Sequence, residues 1–324
     1  MSLPAPLASR LTLPLIAAPM FLVSGPALVK AACRAGVIGS FPTANCRTVE
    51  ELDRWLADMG DDLKRAADET GRVPAPLCPN LIVHRSNTRV PDDLAAVLRH
   101  KVEMVITSVG SPEPVLKPLK DAGCLVLADV ASVRHAEKAV AAGVDGLVLL
   151  TAGAGGQTGW VNPFAFVRAV RKFWDGIVVM AGGMADGQAV AAAEMLGCDL
   201  AYMGTKFIAT RESLAKDGYK EMLVKSRLDD VLLTRAFTGL ETNMLRPSIA
   251  AAGLDPDNLP VRGSIDIAKD INASERERPD AKRWKDIWSA GHSVSGVADV
   301  PSVAELVART ADEYAAAKAS VQRV

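Results

Sequence analysis

The stretch from Gly176 to Thr210, GIVVMAGGMADGQAVAAAEMLGCDLAYMGTKFIAT, restricts what this chain can fold into more than any other. The apolar run Ile177 to Met180 predicts a strand, Gly182-Gly183 a turn, Gly187 to Leu196 an amphipathic helix, and Leu200 to Met203 a second strand ending in Gly204-Thr205. Two apolar strands joined by one helix imply a parallel pair.

Strand, turn and helix start, in that order, bring unpaired backbone N–H groups and the positive end of a helix to one spot, which favours a phosphate. Glycine suits that spot because a Cβ would hold the backbone away from the phosphate. Gly204-Thr205, after the next strand, adds further N–H donors and one hydroxyl. The plainer alternative is that these glycines only turn the chain. In a closed α/β barrel, the loops after strands seven and eight are where a phosphate usually sits.

The same strand–helix rhythm runs through the preceding sequence. Strands are expected near Leu13 to Pro19, Val37 to Phe41, Leu77 to Val83, Met104 to Ser108, Leu125 to Val130 and Gly146 to Leu150, which with the two above makes eight. Helical patterns separate them, and Ala35-Gly36, Ala122-Gly123, Ala142-Gly143 and Leu196-Gly197 read as helix stops. Strands apolar on both faces, each followed by a helix, predict a (β/α)8 TIM barrel, placed at residues 1–228. From about Asp229 the rhythm is lost, and residues 229–324 are expected to form a helical C-terminal appendage over the barrel mouth. An exposed tail is the alternative, although Trp284, Ile287 and Trp288 need somewhere to bury.

Composition removes several function classes. Lys+Arg 37 against Asp+Glu 38 leaves a net charge of -1, with no basic stripe for nucleic acid. Apolar runs fall short of the roughly 20 residues of a membrane span. The N-terminus reads as a first strand rather than a leader, so a soluble cytoplasmic protein is expected. Cys33, Cys46, Cys78, Cys124 and Cys198 lie far apart without a CxxC pair, so no metal site or disulfide framework is expected.

In such a barrel the C-terminal ends of the strands face the active site. They bear Ala18-Pro19-Met20, Asn80 and His84, Thr107-Ser108, Asp129, and the loop GAGGQTGW from Gly153 to Trp160. The glycines of that loop would let backbone approach a flat ligand, and Gln157 is its one polar side chain of reach. A merely flexible loop is the alternative.

The opening PLIAAPM, the strand carrying Asn80, the loop GAGGQTG, the turn AGGMADG and the run MGTKFIATRES together resemble the nitronate monooxygenase family. Its members are FMN-dependent TIM barrels that include NAD(P)H-dependent enoyl and quinone reductases. The resemblance covers Leu13 to Glu212 and continues into Trp284 to Gly296. It implies bound FMN, with Ala18, Pro19 and Met20 against the flavin ring, Asn80 at its polar edge, and Gly182, Gly183, Gly204 and Thr205 on its phosphate. Asp129, Gly156, Ala181 and Met203 complete the expected cofactor shell.

Two positions depart from the family pattern. Many relatives carry a catalytic histidine in the sixth-strand loop where this chain has Gln157, and an amide has no useful pKa for proton abstraction. Some relatives place a lysine near the flavin where Asp129 stands here. His84, past the third strand, and His292, in WSAGHSVSG, are the histidines that could replace the base. The resemblance implies a nitronate monooxygenase that oxidises alkyl nitronates with O2. The alternatives are an NAD(P)H-dependent reductase of an enone, quinone or enoyl thioester, a non-redox barrel for a phosphorylated metabolite, or a binding protein without turnover. A small-molecule substrate is expected, and NAD(P)H and a homodimer stay open as partners.

Overall fold

The structure, a computed structural model, describes residues 3–260 and 286–321. Eight parallel strands close into a barrel: β1 (Leu15–Ala17), β2 (Ile38–Pro42), β3 (Leu77–Ile82), β4 (Met104–Ser108), β5 (Leu125–Val130), β6 (Gly146–Leu150), β8 (Ile177–Ala181) and β9 (Leu200–Met203). Ile16↔Tyr202 and Ala17↔Met203 are the register that joins last strand to first. Side chains alternate in and out along each strand. Ile16, Ile38, Cys78, Ile106, Leu127, Val148, Val179 and Leu200 fill the barrel interior. Leu15, Leu81, Val105, Val126, Leu147, Val178 and Ala201 instead pack beneath the surrounding helices. That double burial explains why the strands read as continuous apolar runs. Leu3 and Leu7, flanking and within the short helix α1 (Ala5–Ala8), join the interior cluster and cover its lower end.

All four expected helix stops are left-handed glycines: Gly36, Gly123, Gly143 and Gly197 have φ of 81°, 77°, 96° and 107°. Two aspartates just ahead of strands tie neighbouring strands at that lower end. Asp145 accepts from the Val126 N–H at 2.9 Å, and Asp199 accepts from the Val178 N–H at 2.9 Å. Asp199 also pairs with Arg171 at 2.6 Å, while the rest of that guanidinium donates to the Gly176 and Gly197 carbonyls.

The C-terminal part is helical at its end but divides its work. The final helix, α12 (Val303–Val321), packs between α8 (Gly187–Leu196) and α2 (Pro26–Arg34) and so completes the outer ring beside the barrel, not over its mouth. Its approach to α8 is close: a Cβ on Gly187 would lie 2.2 Å from the Thr310 carbonyl oxygen. Nearer the mouth lie α9 (Thr205–Ile208), α10 (Asp217–Lys225), and a hairpin of β10 (Val231–Thr234) and β11 (Thr242–Leu245). The hairpin pairs with β7 (Gly156–Gln157) in a three-stranded antiparallel sheet. That sheet was not foreseen, because strands of four and two residues are too short for period-two alternation to register. A short helix, α11 (Arg246–Ala251), follows it.

Ile287 is 2 % exposed, and Trp288 stacks on Tyr219 with ring centroids 5.0 Å apart, so this segment is packed rather than a free tail. Trp284, and the charged stretch from Ser274 to Lys285, lie outside the described residues. No helix among the described residues is long and apolar enough to cross a membrane.

Candidate active site

The strand ends open into a cavity of about 380 Å³ at the barrel mouth, within the size range of small-molecule sites. Its wall at the first strand is Ala18, Pro19 and Met20, and its floor holds Asn80, Ser108, Asp129 and Tyr202. Ala181, Gly182 and Gly183 after β8, with Gly204 and Thr205 after β9, form one corner. Gly156 and Gln157 of β7 lie opposite residues 287–290, which close the cavity from above.

The corner is built by two loops from adjoining strands, paired through Ala181↔Tyr202. Gly182 has φ 115°, and a Cβ there would stand 2.5 Å from Thr151 Oγ1. Thr151 donates at 2.6 Å to the Ala181 carbonyl and fixes the start of the turn. Gly183 has φ 75° and nothing within 4 Å of its Cβ position, so its backbone faces open space. Thr205 Oγ1 accepts from the Gly291 N–H at 3.0 Å and keeps its own proton to donate. These features fit a phosphate monoester. Lys206, one residue past Gly204-Thr205, donates to the Gly296 carbonyl.

On the floor, the Ser108 hydroxyl donates to Asn80 Oδ1 at 3.1 Å, and Asn80 Nδ2 donates to the Ile106 carbonyl at 3.4 Å. Asp129 Oδ1 is buried and has no hydrogen-bond partner. Burial pushes its carboxyl up to about 7. The Tyr202 phenol is also raised well above its ordinary value, first by burial and then by Asp129. Sequence reasoning missed Tyr202, although alternation along LAYM could have found it. Leu200 and Tyr202 point inward, whereas Met203 packs outward under the helices and does not line the cavity.

The glycine-rich loop is tied to neighbouring protein segments by hydrogen bonds and close backbone approaches. Gln157 pairs with Thr242, Thr158 N–H donates to the Glu241 carbonyl at 3.1 Å, and Asn243 Nδ2 donates to the Ala154 carbonyl at 2.7 Å. Added Cβ atoms would meet His292 Nδ1 at 2.7 Å from Gly153, the Gly291 nitrogen at 2.7 Å from Gly155, and the Leu150 carbonyl oxygen at 2.2 Å from Gly159. Most of these glycines therefore admit protein backbone and the His292 ring. Gly156, with φ 66° and its Cβ position 4.0 Å from Ser289 Oγ, is the one that faces room.

Neither candidate histidine lines the cavity. His292 is exposed, lies over Gly153, and donates its backbone N–H to the Gly153 carbonyl at 2.9 Å. His84 lies beyond the end of β3, with Nδ1 2.7 Å from Ser86 Oγ. At the cavity rim, Leu22 and Val109 both have φ 60°, a strained setting for such side chains. Asn45 holds the first of them: its Oδ1 accepts from Leu22 N–H at 2.9 Å while Nδ2 donates to Met20 and Ser24 carbonyls. No sequence signal marked Asn45.

Residues 7–313 match the family model described as nitronate monooxygenase. A nitronate monooxygenase from Paraburkholderia phytofirmans is 29% identical, over 91% of this chain and 90% of that protein. A 5-hydroxy-7a-methyl-1-oxo-octahydroindene-carboxyl-CoA dehydrogenase from Rhodococcus jostii is 26% identical, over 88% of this chain and 76% of that protein. Among solved structures, nitroalkane oxidase from Streptomyces ansochromogenes superposes with TM-score 0.71 at 27% identity, covering 97% of this chain and 99% of that one.

Proposed function

The chain belongs to the nitronate monooxygenase family of flavin-dependent oxidoreductases, and from that premise we propose that it holds FMN in the mouth cavity and oxidises alkyl nitronates with O2. The observation that carries the reading is the corner where Gly182-Gly183 and Gly204-Thr205 meet in the lining of a cavity of about 380 Å³. Gly183 N–H, Gly204 N–H and the Thr205 hydroxyl would hold the phosphate. Ala18, Pro19 and Met20 would border the ring, and the Asn80 amide, oriented by Ser108, would meet its polar edge. The flavin, when bound, supplies the electron transfer between substrate and oxygen.

The protein's own part is binding and orientation. Gln157, fixed by the β7–β11 pairing, can donate a hydrogen bond to a nitro oxygen from its amide but cannot take a proton. A nitronate arrives already deprotonated, so this chemistry needs no base at that position. The test is the absorption spectrum of the purified protein, with the chromophore released by heat. Oxidised-flavin bands and FMN in the supernatant are expected; a protein that stays colourless when FMN is added contradicts the reading.

A second reading is an NAD(P)H-dependent reductase of an enone, quinone or enoyl thioester, and the carboxyl-CoA substrate in the name of the Rhodococcus jostii relative supports the thioester among these. Anaerobic bleaching of the bound flavin by NADH or NADPH, without nitronate turnover, is the result that would select it.

A further inference from the structure

The phosphate corner belongs to the seventh and eighth strands of the barrel, β8 and β9, and the floor residues Asn80, Ser108 and Asp129 to the third, fourth and fifth. In an eight-strand ring the third and fourth strands lie across the mouth from the seventh and eighth, with the fifth beside the fourth. A ligand anchored at the corner and lying over the opening therefore ends above Asn80, Ser108 and Asp129. Of the three, Asn80 and Ser108 already bond each other. Asp129 alone keeps a buried carboxyl oxygen without a partner, in the wall of the cavity. A buried polar atom left unpaired is costly, and its pairing is supplied when the ligand arrives.

Resting on the flavin reading above, we propose that Asp129 meets the polar edge of the bound ring and, by changing between neutral and charged forms, sets how readily that ring accepts electrons. The titratable groups that face it are the Tyr202 phenol from β9 and the Cys78 thiol from β3, both held neutral by burial. β4 and β6 bring Ser108 and Leu150, which do not titrate, and the covering loops bring Gln157. Lys216, at the outer rim, is engaged with Asp286 at 3.1 Å. Asp129 makes no ion pair among the described residues, so nothing cancels its charge once it ionises. Burial carries its transition to about 7. Below that pH the neutral carboxyl can donate a hydrogen bond to the ring; above it a carboxylate lies against a ring that gains electron density on reduction, and reduction is opposed.

The experiment uses the flavin-loaded protein and Asp129→Asn. The oxidised ring has no titrating group of its own between pH 5.5 and 8.5, so its visible absorption reports on neighbours. A spectral transition near pH 7 is expected in the native protein and should vanish in Asp129→Asn. The reduction equilibrium of the variant should shift toward the reduced flavin by about tenfold or more at pH 8, with little change at pH 6. Identical spectra and reduction equilibria at both pH values overturn the proposal while leaving the flavin reading intact. If the variant fails to hold flavin, the native titration decides, and a pH-invariant spectrum overturns the proposal. A native protein that binds no flavin removes both.

Discussion

Gln157 and Asp129 divide the proton chemistry of the mouth: the loop residue cannot carry a proton, and the floor residue can. For Asp129 the sign of the stability effect follows from burial. Its carboxyl titrates near 7 in the folded chain and near 4 in an unfolded one, so the folded state binds the extra proton between those values. Its contribution is present in full at low pH and is lost as pH rises through about 7. In flavin-stripped protein, Asp129→Asn should therefore raise stability at pH 8, by on the order of 1–4 kcal/mol, and change it little at pH 4. Denaturation curves at the two pH values check this; equal effects would show that the Asp129 carboxyl titrates in the fold as it does in an unfolded chain. His292 offers a contrast, because its ring packs over Gly153 outside the cavity lining. His292→Ala is expected to leave the pH profile of turnover in place, and loss of a limb from that profile would restore His292 as the base. Asp129 and Gln157 were legible as residues at strand ends, but their surroundings were not. The partnerless oxygen depends on what β4, β6 and β9 bring near it, which no local pattern encodes.

At the scale of elements, the barrel strands and their helix stops were readable because period, length and glycine chemistry are local. The contacts that lock elements together were not. Gly187 read as the start of the helix after the Gly182-Gly183 turn, yet its missing side chain also admits the backbone of α12, more than a hundred residues later. Gly187→Ala should cost about 2 kcal/mol or more, and an unchanged denaturation midpoint would refute that packing role. The lower ends of β8 and β9 depend on the Arg171–Asp199 pair, whose Asp199 side chain is 2% exposed. Arg171→Ala leaves that carboxylate buried without its cation, and a loss of about 3 kcal/mol is expected. A loss below about 1 kcal/mol would mean that the Val178 N–H and the other contacts of Asp199 satisfy it without the guanidinium. The β10–β11–β7 sheet shows the same limit from the other side: its strands are short, and only their pairing makes them strands.

For the whole molecule, a closed barrel delivers eight strand ends to one place, and the chain then lays residues 286–296 and a hairpin over that place. The barrel and the two glycine-bearing turns that meet at one corner of its mouth were legible because each repeats a unit. The cover was not, because nothing in its composition says which face it seeks. On the proposed function, the corner, the floor and the cover together make a flavin site for nitronate oxidation, and oxygen uptake by the flavin-loaded protein tests this most directly. Propyl-2-nitronate under air should give sustained oxygen consumption, whereas NADH and NADPH under argon should leave the flavin oxidised. Rapid anaerobic bleaching by either nicotinamide, with no oxygen uptake on nitronate, would contradict it.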